Sequence, residues 1–387
     1  MSGFNPVFTS LPTTIFEVMS VLAREHQAVN LGQGFPDDPG PEDVRRAAAD
    51  AALNGDNQYP SMMGLPELRE AVAGYYNRRD GLSIDPAHVV VTCGATEALA
   101  ASLLGLIQPG DEVVMFQPLY DTYAPVVRLA GGVPKFIRLS PPDWRITDDM
   151  LREAVSDRTK LIIFNNPLNP AAVVHGRDEL QAIADACIRH DVIAVCDEVW
   201  EEVLLDGHAF TPLFALPGMG ERTVKIGSAG KMFSLTGWKI GWTIAAPHIT
   251  AAIAKAHQFL TFTIAPPLQR AVAFGLNRDA SGFAEMRAGF QRSHDRLAAG
   301  LRHVGYAVAP AQGTYFLNID LERSGIALPD RDFSLKAVRE FGVASIPVSA
   351  FYDRDAVTSI VRLCFAKRDA TLDAGIERLA QVRSALT

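Results

Sequence analysis

The chain has 387 residues, 48% hydrophobic and 21% charged, with a formal net charge of −8. That length predicts two or three domains, or one large domain with a satellite, and the apolar share is ample for a core. Mild acidity gives no reason to expect nucleic acid or an anionic membrane as partner, and no stretch reaches the ~20 apolar residues of a membrane span.

In chain order, the N-terminus lacks the basic-then-apolar order of a secretory signal. LPELREAVAGYYNRRD reads as an amphipathic helix, HVVVTC as a short apolar strand, and GATEALAASLLGLI as a helix that starts directly after it. Then come the strands EVVMF and VPKFIRL, the helix MLREAVSD, the strand KLIIFNN, the helix ELQAIADACIRHD, and the strands VIAVCDEV, TVKIGSA and KIGWTIAA. Short, fully apolar strands alternating with helices predict an α/β domain, its mostly parallel sheet covered by helices on both faces. Past residue 280 the pattern changes. A long helix, FAEMRAGFQRSHDRLAAGLRHVG, leads into AVAPAQGTYFLNIDL, the helix LKAVREFG, an edge-like strand VASIPVS, the strand SIVRLCFA and a final helix. The expected division is a large domain over 41–280, and a smaller α+β domain from 281–387 with the segment 1–40. Cys93, Cys187, Cys196 and Cys364 form no C-x-x-C pair and read as reduced structural thiols of a cytoplasmic protein.

In doubly wound sheets ligands sit beyond the carboxyl ends of the strands. Unusual polar residues gather at five such ends: Gly94-Ala95-Thr96, Tyr120, the asparagines 165, 166 and 169, Asp197, and Ser228 with Lys231. Gly94-Ala95-Thr96 opens a helix, so its free N–H groups would suit a phosphate; a plain strand-to-helix turn is the other reading. Ser228 and Lys239 could serve the same anion. Asp197 ends an apolar strand, where a carboxylate needs a partner, expected to be positive. Lys231, among small and apolar neighbours in GSAGKMFSLTGWKIGW (227–242), is a candidate for a lowered pKa and Schiff-base chemistry.

Other motifs fail on spacing. GSAGKM has Lys225 where a P-loop needs its first glycine, and Met232 where it needs Ser or Thr; LGQGFPD lacks the third glycine of a dinucleotide fingerprint. The nine histidines are scattered with no H-E-x-x-H, so no metal is expected, and no G-x-S-x-G elbow occurs. A phosphate cradle, a Schiff-base lysine and a carboxylate for a pyridinium nitrogen together point to pyridoxal 5′-phosphate.

With these residues in place the chain resembles the fold type I, class I/II aminotransferases along nearly its whole length. S-x-G-K…G-W-K-x-G-W, NNPLNP (165–170), DEVW (197–200), NQYPSMMGLPELREAVA (57–73), GATEAL (94–99) and RLCFAK (362–367) match that family. LGQGFPD (31–37) resembles the branch with kynurenine, glutamine and methionine aminotransferases. The resemblance implies a ping-pong transfer from an amino acid donor, sulfur-containing, aromatic or glutamine-like, to a 2-oxo acid. It implies that Lys231 carries the cofactor and moves the Cα proton, and that Asp197 pairs with the ring nitrogen. Asn169 would bond the ring oxygen and help with the substrate carboxylate. Tyr120 would stack on the ring, while Ser228, Lys239, Ala95 and Thr96 hold the phosphate. Tyr59 would reach it from the other subunit of a homodimer. Arg362 would grip the α-carboxylate, with Gly34 closing over it. Phe16 and Phe35 would wall the substrate side chain.

Two departures stand out. Trp200 replaces a tyrosine of the family that donates to the ring oxygen; an indole can donate but not accept, so it would substitute in part, narrow the pocket, or simply pack in the core. The glycine after the family's N-P-x-N-P-T is absent from NPAAVVHG, so that loop is expected to take another course. Glu97, Asp121 and Tyr123 read as supporting or helix-surface groups. The competing activities are a cysteine-conjugate β-lyase or related synthase, which would use the same residues, and a non-catalytic pyridoxal-phosphate-binding protein.

Overall fold

The computed structural model describes residues 3–279 and 281–387. Seven strands form the main sheet: β1 (Val89–Cys93), β2 (Glu112–Gln117), β3 (Val133–Arg138), β4 (Thr159–Asn165), β5 (Ile193–Asp197), β6 (Thr223–Ser228) and β7 (Ile240–Ile244). Their order is β1-β7-β6-β5-β4-β2-β3, and β7 alone runs against its neighbours. The largely apolar character of the central strands follows from cover on both faces. Val113, Met115, Leu161, Ile163, Val195 and Ile226 pack with Ala98, Leu99 and Leu103 of the helix Gly94–Leu106 and with Ile249 and Ile253 of Pro247–Leu260. The alternate residues, Val114, Phe116, Ile162, Phe164 and Cys196, meet Leu180, Ile183 and Cys187 of the helix Arg177–Arg189 on the other face.

A second, antiparallel sheet contains β8 (Ala307–Val308), β9 (Phe316–Asp320), β10 (Ile346–Pro347) and β11 (Ile360–Cys364), in the order β10-β11-β9-β8. The strand expected over VASIPVS is split. Val343–Ala344 pairs parallel with Val29–Asn30, and Ile346–Pro347 forms the sheet edge. Met19 and Ala23 of the helix Ile15–Glu25 pack on Val338, Ala344 and Phe351, so the N-terminal segment rests on the C-terminal part of the chain. Among the described residues no helix is long and apolar enough to cross a membrane.

Candidate active site

The polar strand ends converge because six strands run the same way. At the end of β1, Gly94 has φ +67 and stands where a Cβ would lie 3.1 Å from Lys239 Nζ. A Cβ on Gly241 would lie 2.6 Å from the Gly94 carbonyl carbon and 2.8 Å from the Ala95 nitrogen. These two glycines let β7 press against the first turn of Gly94–Leu106, which sets Lys239 over the helix N-terminus. Gly241 is also paired with Ser228 across the sheet, so the Ser228 side of β6 borders the same cradle. Free N–H groups, a hydroxyl and an ammonium around one spot suit an anion.

Asp197, at the end of β5, is buried. The Tyr123 hydroxyl donates to its Oδ2 at 2.6 Å, whereas Oδ1 has no partner. Its side-chain hydrogen-bond partner within the chain is the Tyr123 phenol. Burial pushes the Asp197 carboxyl up, and Tyr123, the Val199 N–H and the charge of Lys231 pull it back. A buried carboxylate oxygen without a donor is costly unless a ligand supplies one.

Lys231 follows β6 on a short helical turn, Ala229–Met232. Its Nζ donates to the Tyr315 hydroxyl at 3.1 Å, and that hydroxyl donates to the Gly34 carbonyl at 2.5 Å. The amine lies 4.7 Å from the centre of the Trp200 ring, which meets the Tyr315 ring edge-on at 4.5 Å. Burial lowers the Lys231 pKa to about 8, against the opposing pull of Asp197; Arg362 and Lys239 lower it further. An amine so placed has a far larger neutral fraction near physiological pH than an ordinary lysine, and that fraction can bond to a carbonyl or move a proton.

Arg362, in β11, is 2% exposed. It donates to Asn169 Oδ1 at 2.8 Å and to the Gly32 carbonyl at 3.1 Å, and its Nε has no partner. Its guanidinium lies 3.8 Å from the centre of the Phe316 ring, with Phe16 and Phe351 beside it. Burial brings its pKa down to about 10, so it stays charged at neutral pH. Asn169 is held in turn by its N–H on Asn165 Oδ1 at 2.9 Å, and Asn165 donates to the Asp197 carbonyl at 2.8 Å. Three predicted residues from three distant stretches are thus linked.

Gly34 approaches so closely that a Cβ there would meet the Phe316 ring at 2.8 Å. Burial raises the Tyr120 pKa, and bonds to the Thr122 and Thr96 hydroxyls hold it back, which places Tyr120 beside the cradle. Tyr59, expected to act across a subunit interface, is 83% exposed and packs edge-on against Phe262 at 5.6 Å, and Phe35 is exposed with its ring against Lys367 rather than at the site. Two residues absent from the expected site belong to it. Tyr123, read from sequence as a supporting or surface group, is buried on Asp197, and its ring meets that of Tyr120 edge-on at 5.9 Å. Tyr315 carried no signal beyond its place in QGTYFLN. In the NPAAVVHG loop Ala172 adopts φ +62, and Leu168 and Val173 close a tight bridge around it.

The family model for "Aminotransferase class I and II" matches residues 26–379. A Mycobacterium tuberculosis protein named as a probable N-succinyldiaminopimelate aminotransferase is 42% identical over 380 residues, 95% of this chain and 96% of its own. The solved structure of the enzyme of that name from the same organism superposes with a TM-score of 0.95, covering 98% of this chain and 100% of the other at 42% identity. The methionine aminotransferase of Escherichia coli is 39% identical over 373 residues, 96% of each chain. Human kynurenine–oxoglutarate transaminase 1 is 36% identical over 393 residues, 92% of this chain and 93% of its own. The chain belongs to the class I and II aminotransferases, and it is an enzyme that moves an amino group from an amino acid to a 2-oxo acid.

Proposed function

We propose that this aminotransferase works with pyridoxal 5′-phosphate on donors with sulfur-containing, aromatic or glutamine-like side chains. The observation that carries the reading is a pair of groups beyond the strand ends: a half-buried lysine whose pKa is lowered to about 8 and a buried aspartate with one oxygen left unpartnered. The residues fit the cofactor. Ala95, Thr96, Ser228 and Lys239 would hold the phosphate, Tyr120 the ring face, Asn169 and Trp200 the ring oxygen, and Asp197 Oδ1 the ring nitrogen. When bound, pyridoxal phosphate supplies an aldehyde that bonds to amines and a protonated ring that draws electrons from the Cα–H bond.

The chain's own residues do the rest. Asp197, steadied by Tyr123, would pair with the ring nitrogen and favour its protonated form. Lys231 Nζ, restrained by Tyr315, takes the proton from the substrate Cα and delivers it to the carbon that keeps the nitrogen. Arg362, its Nε still free, binds the α-carboxylate as a fork, and Gly34 closes over it. Phe16, Trp200 and Phe316 offer apolar walls, which favours thioether and aromatic donors over aspartate.

The same reading includes a homodimer in the cytoplasm. Leu53, Tyr59, Phe259 and Phe262 are exposed apolar side chains of the kind a second subunit would cover, and Tyr59 would then reach the partner's phosphate. All four cysteines are free, in keeping with a reducing compartment. We propose the division into 41–280 and 1–40 with 281–387 on the grounds of the two separate sheets and the seating of Ile15–Glu25.

The test is a visible spectrum of the purified protein with pyridoxal phosphate, before and after single amino acids without an acceptor. Methionine, glutamine or phenylalanine should convert the yellow band to the pyridoxamine form at lower concentration than aspartate or N-succinyldiaminopimelate. No band at all would sink the cofactor assignment, and aspartate ranked first would sink the donor assignment.

A further inference from the structure

Behind the cradle sits a histidine that none of the proposed chemistry uses. His257 of the helix Pro247–Leu260 is fully buried. Its Nδ1 lies 2.8 Å from Glu97 Oε1 and its Nε2 lies 2.8 Å from the Met62 carbonyl. Both partners are acceptors. A neutral imidazole has a single N–H, so one of these contacts would set lone pair against lone pair, and only the imidazolium satisfies both. Burial works against that charge, but the Glu97 carboxylate and the Met62 carbonyl outweigh it, and the ring's pKa lies above its ordinary value.

The two acceptors are informative. The second oxygen of Glu97 accepts from the Cys93 N–H at 2.8 Å, so this carboxylate sits in the first turn of the helix whose N–H groups would face the phosphate. Uncompensated, its charge would oppose a dianion at that helix end. Met62 lies three residues beyond Tyr59, and the neighbouring Met63 carbonyl accepts from the Val91 N–H of β1 at 3.0 Å. We infer that His257 is a positioning residue for the phosphate end of the site, cancelling the charge of Glu97 while pinning the Tyr59–Met62 segment beside the helix N-terminus. The inference rests on the reading that pyridoxal phosphate binds in this cradle.

It is tested by titrating the cofactor-free protein with pyridoxal phosphate and following the visible band, with inorganic phosphate as competitor. His257→Gln removes the charge but keeps a donor for Met62; the dissociation constant should rise about tenfold, and phosphate should compete correspondingly less well. Adding Glu97→Gln to that variant should bring both values back to within about threefold of the wild type, because the carboxylate left uncompensated is then gone. Glu97→Gln alone should bind at least as tightly as the wild type. Unchanged binding in His257→Gln, or no recovery in the double variant, would overturn the inference while leaving the cofactor assignment intact. Glu97→Gln binding as weakly as His257→Gln would reduce the contact to a fold-holding role and overturn it too. A wild type that takes up no pyridoxal phosphate would overturn the cofactor assignment itself, and this inference with it.

Discussion

The stretch DEVWEE (197–202) sends carboxylates to two different surroundings, and the contrast separates a site from a scaffold. Asp197 faces the active site with one oxygen unpartnered. Glu198, Glu201 and Glu202 enter a buried cluster in which each has a cation: Lys225 meets Glu198 and Glu201, Arg79 meets Glu201 and Glu202, and Arg287 meets Glu202. The lysines divide in the same way. Lys225 in β6 is buried, yet Glu198 and Glu201 overcome its desolvation and raise its pKa. Lys231, six residues on, is half-buried and has no salt-bridging carboxylate, only the opposing pull of Asp197, and desolvation lowers its pKa to about 8. Desolvation acts on both. What differs is whether the chain itself supplies the counter-charge, and where it does not, a ligand can.

Exchanging the roles should break the contrast in opposite directions. Lys231→Ala should lower transamination by about 10⁴-fold or more in a kinetic assay, since both the covalent anchor and the proton carrier go. Its urea midpoint should stay level or rise, because a poorly compensated buried amine has been removed. A variant that turned over normally would end the assignment of Lys231. Lys225→Met should do the reverse. It strands Glu198 without a cation, at a cost of about 3–5 kcal/mol in folding stability. Urea unfolding would read it, and adding Glu198→Gln should recover part of the loss. An unchanged midpoint would mean that water reaches the cluster.

The sequence carried the scaffold and the chemistry of the site, but not its pairings. Strand ends could be located from apolar runs and turns, and Lys231, Asp197, Asn169 and Arg362 from motifs, because those signals are local in the chain. Tyr123 bonds Asp197 across 74 positions, Lys231 bonds Tyr315 across 84, and His257 meets Glu97 across 160. No periodicity records such contacts, because they are made only when the sheet brings the strand ends together. The reversed direction of β7 was equally invisible, since a short apolar strand reads the same both ways. Ala172 shows the converse limit. At this position, without the glycine, the bridge between Leu168 and Val173 holds the residue at φ +62 despite the strain of about 1–2 kcal/mol that a Cβ brings there.

The mildest way to sharpen the contrast is Tyr123→Phe, which moves Asp197 further toward its unsatisfied extreme. The phenol donates to Oδ2 at 2.6 Å and is one of the influences that hold the carboxyl down against burial. Without it both oxygens lack a donor from Tyr123, so the protonated acid is favoured and the Asp197 pKa rises. A protonated Asp197 cannot hold a cationic ring nitrogen, and activity should fall as pH drops through the new, higher value. The expected outcome is about a tenfold loss of kcat at neutral pH, in line with one charge-assisted hydrogen bond, with the acid limb of the pH–rate profile shifted upward. KM for the donor should change little, because Arg362 and Asn169 hold the carboxylate through a separate set of bonds. A raised KM with an unmoved acid limb would instead place Tyr123 among the groups that shape the substrate pocket, and would leave Asp197 held by the Val199 N–H and whatever it meets at Oδ1.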